Sequence, residues 1–155
     1  MQKLSYRKAA LADLAWLVET EQQCFGEADT FSRRTIRYMI KNPHDSIILD
    51  VLEQDQKPVG YAVYITRRNS KLIRFYSLCL LPAYRGQGLL KPYLQERLKG
   101  FAERYKRIGL EVRVSNLNAL QLYRTLGFKI EKTLPQYYPS EGNGEDGYRM
   151  EVILT

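Results

Sequence analysis

Apolar positions along this chain switch between a helical period of about 3.6 and a strand period of about 2. Leu4, Ser5 and Tyr6 open a short strand. Leu11, Leu14, Ala15 and Val18 follow at helical spacing up to Phe25 and Gly26, where glycine supplies a stop. Residues 31–41 form a second helical stretch, with Thr30 or Ser32 available as its cap, and Asn42-Pro43-His44-Asp45 is a turn by composition. Three strand-like runs then succeed one another at 46–53, 59–67 and 73–81, until Pro82, which has no N–H to donate, ends the ladder. A helix over 88–105 buries Leu90, Leu94, Leu98, Phe101 and Tyr105, with Pro92 in its first turn where a missing N–H is harmless. A strand at 108–114, a short helix at 118–126 stopped by Gly127, and strands at 128–133 and 148–153 complete the pattern. Between the last two strands, 136–147 reads as a long polar loop. The order predicts a mixed α/β fold, a mostly antiparallel sheet flanked by about four helices, in one domain spanning residues 1–155.

Composition narrows this picture. Hydrophobic residues make up 45% of 155, enough for one core, so disorder is not expected. No apolar run reaches membrane-spanning length and the first residues carry no signal core, which predicts a cytoplasmic protein without a membrane role. Cys24 and Cys79 lie in apolar contexts with no zinc spacing and are expected to be buried free thiols. His44, the only histidine, sits in a turn that collects polar residues for backbone reasons. The net charge of +7 favours an anionic partner, but the basic residues are scattered. The densest set, Lys91, Arg97, Lys99, Arg104, Lys106 and Arg107, reads as a solvated helix face, and nucleic acid is not the expected partner.

Chemistry concentrates in two segments. Tyr84-Arg85-Gly86-Gln87-Gly88-Leu89 joins an apolar strand to a helix N-terminus. The first-turn N–H groups of a helix lack internal partners, the dipole adds positive potential, and glycine lets the main chain approach a pyrophosphate. Arg85 and Lys91 flank the turn. A plain strand–helix turn has the same glycines, and the pattern is neither the dinucleotide fingerprint nor a P-loop. The second segment runs from Glu111 to Phe128. Taken singly, Glu111 reads as a strand carboxylate in water, Asn116 as a helix cap and Tyr123 as a core tyrosine. Glu111 facing a cleft would instead be a candidate base.

Together the two segments resemble the GNAT superfamily of N-acetyltransferases. Arg85-Gly86-Gln87-Gly88 is similar to the family's acetyl-CoA pyrophosphate loop, and Asn116-x-x-Ala119-x-x-Leu122-Tyr123-x-x-x-Gly127-Phe128 to a signature motif. Leu110 to Asn116, Tyr137-Tyr138-Pro139, Gly144-Glu145-Asp146 and Met150 look most like bacterial ribosomal-protein-alanine N-acetyltransferases. The resemblance implies acetyl-CoA as the acyl donor and a primary amine as acceptor, a protein N-terminus or a lysine, attacking directly in a ternary complex with no metal. It implies that Leu78, Cys79 and Leu80 present strand backbone to the pantetheine arm, that the stretch Arg85, Gly86, Gln87, Gly88, Leu89, Leu90 and Lys91 holds the pyrophosphate, and that Asn116 contacts the cofactor. Glu111 would be the general base and Tyr123 the general acid, with Tyr137 and Tyr138 contacting the acceptor. The chain departs from the family's loop at Leu90, where glycine or alanine is usual.

Two other readings stay open on residues alone. A small amine such as a polyamine or an antibiotic would suit the same fold. A CoA-binding module without turnover would bind the carrier and be indifferent to Tyr123. The sequence sets no oligomeric state.

Overall fold

The computed structural model describes residues 3–25, 30–139 and 144–155. Strand β1 (Ser5–Lys8) leads through a 3₁₀ turn, Leu11–Asp13, into helix α1 (Leu14–Phe25) and then α2 (Arg33–Lys41). Strands β2 (Ile47–Gln54), β3 (Lys57–Ile65) and β4 (Leu72–Leu80) follow. A second 3₁₀ turn, Pro82–Tyr84, precedes α3 (Leu90–Phe101), β5 (Arg107–Arg113), α4 (Leu117–Thr125), β6 (Lys129–Tyr138) and β7 (Glu145–Ile153). The seven strands lie in the order β1-β2-β3-β4-β5-β7-β6. β4 and β5 run parallel and the remaining described pairs are antiparallel, which is the expected fold class. The chain divides into two compact units, Met1–Arg68 with Tyr76–Tyr93, and Asn69–Phe75 with Leu94–Thr155.

In the first unit, Leu14 and Leu17 of α1 and Ile36, Met39 and Ile40 of α2 join Leu49, Val51, Tyr61 and Val63 of the strands in one apolar cluster. α2 starts where Ser32 accepts a hydrogen bond from the Thr35 N–H at 3.1 Å. It ends at Asn42, which takes the left-handed conformation and whose side chain holds Ser46 and Ile47 of the incoming strand. The glycine stop expected at Gly26 lies outside the described residues. The two most deeply buried acids among the described residues lie in this unit. Asp50 of β2 accepts from the Tyr93 hydroxyl at 2.6 Å, and Tyr93 is 2.8 Å from the Tyr64 hydroxyl. Tyr93 falls early in α3, so this network ties the start of that helix to the strands beneath it.

Glu21 of α1 is the other, 1% exposed, accepting from the Phe31 N–H at 2.7 Å and from the Tyr61 hydroxyl. Burial raises its pKa from 4.5 to about 7, against the opposing pull of the Phe31 hydrogen bond. A carboxyl with a raised folded-state pKa holds a proton between pH 4.5 and about 7 that the unfolded chain has released. Stability is therefore full below that window and falls as pH rises through it, by about 3 kcal/mol at pH 8 if this group acts alone. Glu21→Gln is expected to flatten the slope of unfolding free energy between about pH 5 and pH 8; an unchanged slope in chemical denaturation would count against this.

The two cysteines correct an expectation. Cys24 in the last turn of α1 and Cys79 of β4 are joined in a disulfide, their Cα atoms 6.7 Å apart, rather than standing as free thiols. A sequence separation of 55 residues carries no sign of that approach, which depends on how α1 packs beside β4.

In the second unit, the first half of β4 pairs with β5, Ile73 opposite Ile108 and Phe75 opposite Leu110. β5 pairs with β7, Leu110 opposite Met150 and Glu111 opposite Arg149. The long loop expected at 136–147 is strand at both ends: β6 extends to Tyr138, β7 begins at Glu145, and the two residues are paired. Residues 140–143 lie outside the described part. The extension survives Pro135 because β6 is the last strand of the sheet and its ladder is irregular between Leu134 and Tyr138.

Candidate active site

The glycine turn belongs to the first unit. β4 ends at Leu80, the Pro82–Tyr84 turn follows, and α3 starts at Leu90. Gly86 and Gly88 adopt φ of +73° and +71°, left-handed values that disfavour any Cβ, and no atom lies within 4 Å of where one would sit. The main chain is thus open on that side, directly ahead of a helix N-terminus whose first N–H groups have no intrahelical partner. These features fit a pyrophosphate. Leu89 is buried, and Leu90, the leucine at the family's small-residue position, is the first residue of α3 and half-buried. Arg85 is placed otherwise than a phosphate clamp. Its Nε donates to the Leu80 carbonyl at 2.8 Å and its guanidinium lies 3.6 Å from Cys24 Sγ, so it is engaged at the end of β4. Lys91 is exposed at the start of α3. Within β4, Cys79 and Leu80 are buried and Leu78 is half-buried.

Glu111, Asn116, Tyr123, Tyr137 and Tyr138 belong to the second unit. Glu111 does not sit in water as a bare strand carboxylate. Its side chain is 9% exposed and its Oε1 accepts from two arginines, Arg149 at 3.0 Å and Arg74 at 3.2 Å. Strand register causes this. Arg149 is the direct partner of Glu111 across β5 and β7, and Arg74 on β4 is opposite Gly109, one alternation away on the same face. Arg74 also donates to the Tyr137 hydroxyl at 3.3 Å, linking the carboxylate to the tail of β6. The 3.0 Å and 3.2 Å contacts with Glu111 both fall on Oε1.

Tyr123 projects from α4 into an aromatic pocket, its ring 6.1 Å from Phe75 and 5.6 Å from Phe128. Burial first, and then the proximity of Tyr138, push its phenol above the ordinary value of 10. The hydroxyl therefore keeps its proton through the neutral range. Tyr138 is pushed up to about 12 by burial, Tyr137 and Glu111. It is thus the group whose ionisation is coupled to the candidate base on one side and the candidate acid on the other. Arg113 stacks over its ring at 4.6 Å, and Gly147 makes room for it, since a Cβ there would meet the Tyr138 ring at 2.8 Å.

Asn116 takes the plain role considered for it. It is the N-cap of α4, its Oδ1 accepting from the Ala119 N–H at 3.2 Å. The side-chain amide N–H groups are still available to another acceptor. The β6–β7 end is anchored by Glu145, which accepts from Arg113 at 3.1 Å and from the Ser115 N–H at 2.9 Å.

Arg74, Arg149 and the Arg113–Glu145 pair are absent from the sequence-based set. Their signal was a charged residue at an inward-alternating position of an otherwise apolar strand, which gains meaning only with the register across β4, β5 and β7.

Comparison with known proteins agrees with this architecture. An N-alpha-acetyltransferase of Sulfurisphaera tokodaii is 43% identical over 80 residues, covering 50% of this chain. The chain spans only 46% of that relative's length. A putative [ribosomal protein bS18]-alanine N-acetyltransferase of Bacillus subtilis is 28% identical over 158 residues, covering 99% of this chain and 97% of its own. The crystal structure of spermidine N-acetyltransferase from Vibrio cholerae, in complex with CoA and spermine, superposes with a TM-score of 0.84 at 22% identity, covering 97% and 95% of the two chains. Residues 11–128, which include the glycine turn, Glu111, Asn116 and Tyr123, match the acetyltransferase (GNAT) family, and the chain belongs to it.

Proposed function

We propose that residues 1–155 act as one catalytic domain that moves the acetyl group of acetyl-CoA to a primary amine, foremost the α-amine of a protein N-terminus, with lysine as the other protein acceptor. The observation that carries this reading is a largely buried strand carboxylate, Glu111, in the same compact unit as Tyr123, a phenol held protonated by burial. The carrier's thioester supplies an acyl group activated for attack. Gly86 through Lys91 would bind its pyrophosphate with main-chain N–H groups at the start of α3, strand backbone at Leu78–Leu80 would lie along its pantetheine arm, and Asn116 would donate its amide N–H groups. Glu111 would take the proton of the attacking amine, directly or through a water, and Tyr123 would give its proton to the departing sulfur. Both cysteines are paired, which supports direct transfer without an acyl-cysteine.

Acceptor choice follows from amine chemistry. At pH 7 about a tenth of α-amines are free base, against about one lysine in 2,500. Two arginines, Arg74 and Arg149, contact Glu111 and disfavour a polycation there. A polyamine acceptor, the second enzyme reading, would approach against that charge. Comparing kcat/KM for a panel of N-terminal peptides with that for spermidine tests the assignment; a preference for spermidine would reject it.

Gly88→Ala places a Cβ on a left-handed residue, a strain of about 1–2 kcal/mol, on the wall proposed to meet the pyrophosphate. It is expected to raise the Kd for acetyl-CoA by about tenfold or more while leaving kcat at saturation little changed. Calorimetric titration measures this, and an unaltered Kd would remove the turn from the carrier site. A cytoplasmic place of action belongs to the same proposal, resting on the family resemblance; among the described residues no helix is long and apolar enough to cross a membrane. Cell fractionation tests it.

A further inference from the structure

Helix α2 carries Arg33, Arg34, Arg37 and Lys41 within nine residues and no acid. All four are exposed, and so is Tyr38, at 48%. On a helical wheel the four cations fall within about 100° of arc, along about 12 Å of helix. The opposite side, Ile36, Met39 and Ile40, is buried in the core cluster. A run of surface charge is often only a solvated face; what sets α2 apart is that four cations share one side of a nine-residue helix with no acid on it, whereas several other arginines of the chain are paired or stacked. Arg7 is paired with Asp13 and Glu53, Arg74 and Arg149 with Glu111, Arg107 with Glu151, and Arg113 with Glu145. On α3, Arg97 lies over the Phe101 ring. The four cations of α2 make no ion pair with any described residue. Glu27 and Asp29, which precede the helix in sequence, lie outside the described residues.

We propose that the exposed face of α2 binds the phosphate backbone of single-stranded RNA. Three of its four cations are arginines, whose planar fork matches phosphate oxygens in pairs. Tyr38 borders the stripe and offers a ring on which an unpaired base can stack, which a duplex does not provide. A lipid surface is the poorer match. A membrane-surface helix inserts an apolar face, and the apolar face of α2 is already occupied by the core. The surface is independent of the acetyl-transfer reading.

Fluorescence anisotropy with a labelled single-stranded RNA of about 20 nucleotides tests this, with duplex DNA of equal length and phosphatidylserine vesicles as the other arms. If three or four phosphates are neutralised, affinity falls about 20- to 50-fold between about 50 and 200 mM salt. Arg33→Glu/Arg34→Glu/Arg37→Glu abolishes binding, the Gln triple weakens it, and Tyr38→Ala weakens it about fivefold or more. Lys99→Glu/Lys106→Glu on the other basic stretch leaves it intact. Circular dichroism establishes that each variant is folded, and the Gln triple decides if the Glu triple is not. No binding at about 50 mM salt, binding that survives the triple changes, or equal binding to duplex DNA or vesicles would overturn the proposal.

Discussion

Tyr123→Phe is expected to lower kcat by about 10²- to 10⁴-fold, the usual worth of a positioned general acid, with little change in KM for acetyl-CoA. The change removes one oxygen from a buried ring that packs against Phe75 and Phe128, so the pocket keeps its shape and the loss reports proton donation rather than folding. Burial shapes the pH profile in a definite direction. Because the folded-state phenol sits above its ordinary value of 10, the proton is present throughout the neutral and mildly alkaline range. Any alkaline decline owed to Tyr123 therefore begins above pH 10, later than for an exposed tyrosine. A substrate with a more acidic leaving thiol needs less help from an acid, so the deficit of Tyr123→Phe shrinks on such an analogue. A deficit of the same size on both would assign Tyr123 to packing, full activity would remove it as the acid, and acetyl-CoA binding with no turnover in the parent protein would favour the CoA-binding module.

Glu111→Gln is expected to have a comparable effect, about 10²- to 10⁴-fold in kcat/KM at neutral pH. The amide keeps an oxygen for Arg149 and Arg74 but has no basic site for the amine's proton. The sign of the pH effect separates catalysis from structure. An α-amine loses its proton unaided above about pH 8, so the gap between Glu111→Gln and the parent protein narrows as pH rises. If the gap is constant with pH, Glu111 is an anchor for the two arginines and not a base. Arg149→Gln is the companion change. It loosens the carboxylate without removing it and produces the smaller loss, since Arg74 still holds Oε1.

The order of helices and strands was legible because each block kept one hydrophobic period, and the glycine turn was legible because Pro82 and Gly88 mark where strand stops and helix starts. Detail failed where a local signal competed with a distant one. Gly144 and Gly147 read as loop residues, yet the β6–β7 pairing reaches Tyr138 and Glu145, held by Glu145 on Arg113 and by the Tyr138 ring lying over Gly147. Of the α3 stripe expected at Leu90, Leu94, Leu98, Phe101 and Tyr105, Leu94 and Phe101 are buried, whereas Tyr93, outside that stripe, goes deepest, because it has Asp50 and Tyr64 to satisfy its hydroxyl. Asn116 shows the reverse case, where the plain cap was the geometry found. The arginine clamp on Glu111 needed residues 74, 111 and 149 to be set side by side by the register of three strands, which no linear spacing reveals.

The central claim, direct transfer to a protein α-amine, is tested most directly by mass spectrometry of a reaction containing isotope-labelled acetyl-CoA, this protein and a peptide that offers both a free N-terminus and an internal lysine. The account predicts one labelled acetyl group on the peptide α-amine and none on the protein. Label on spermidine but not on the peptide, label retained on the protein, or no transfer despite acetyl-CoA binding would contradict it.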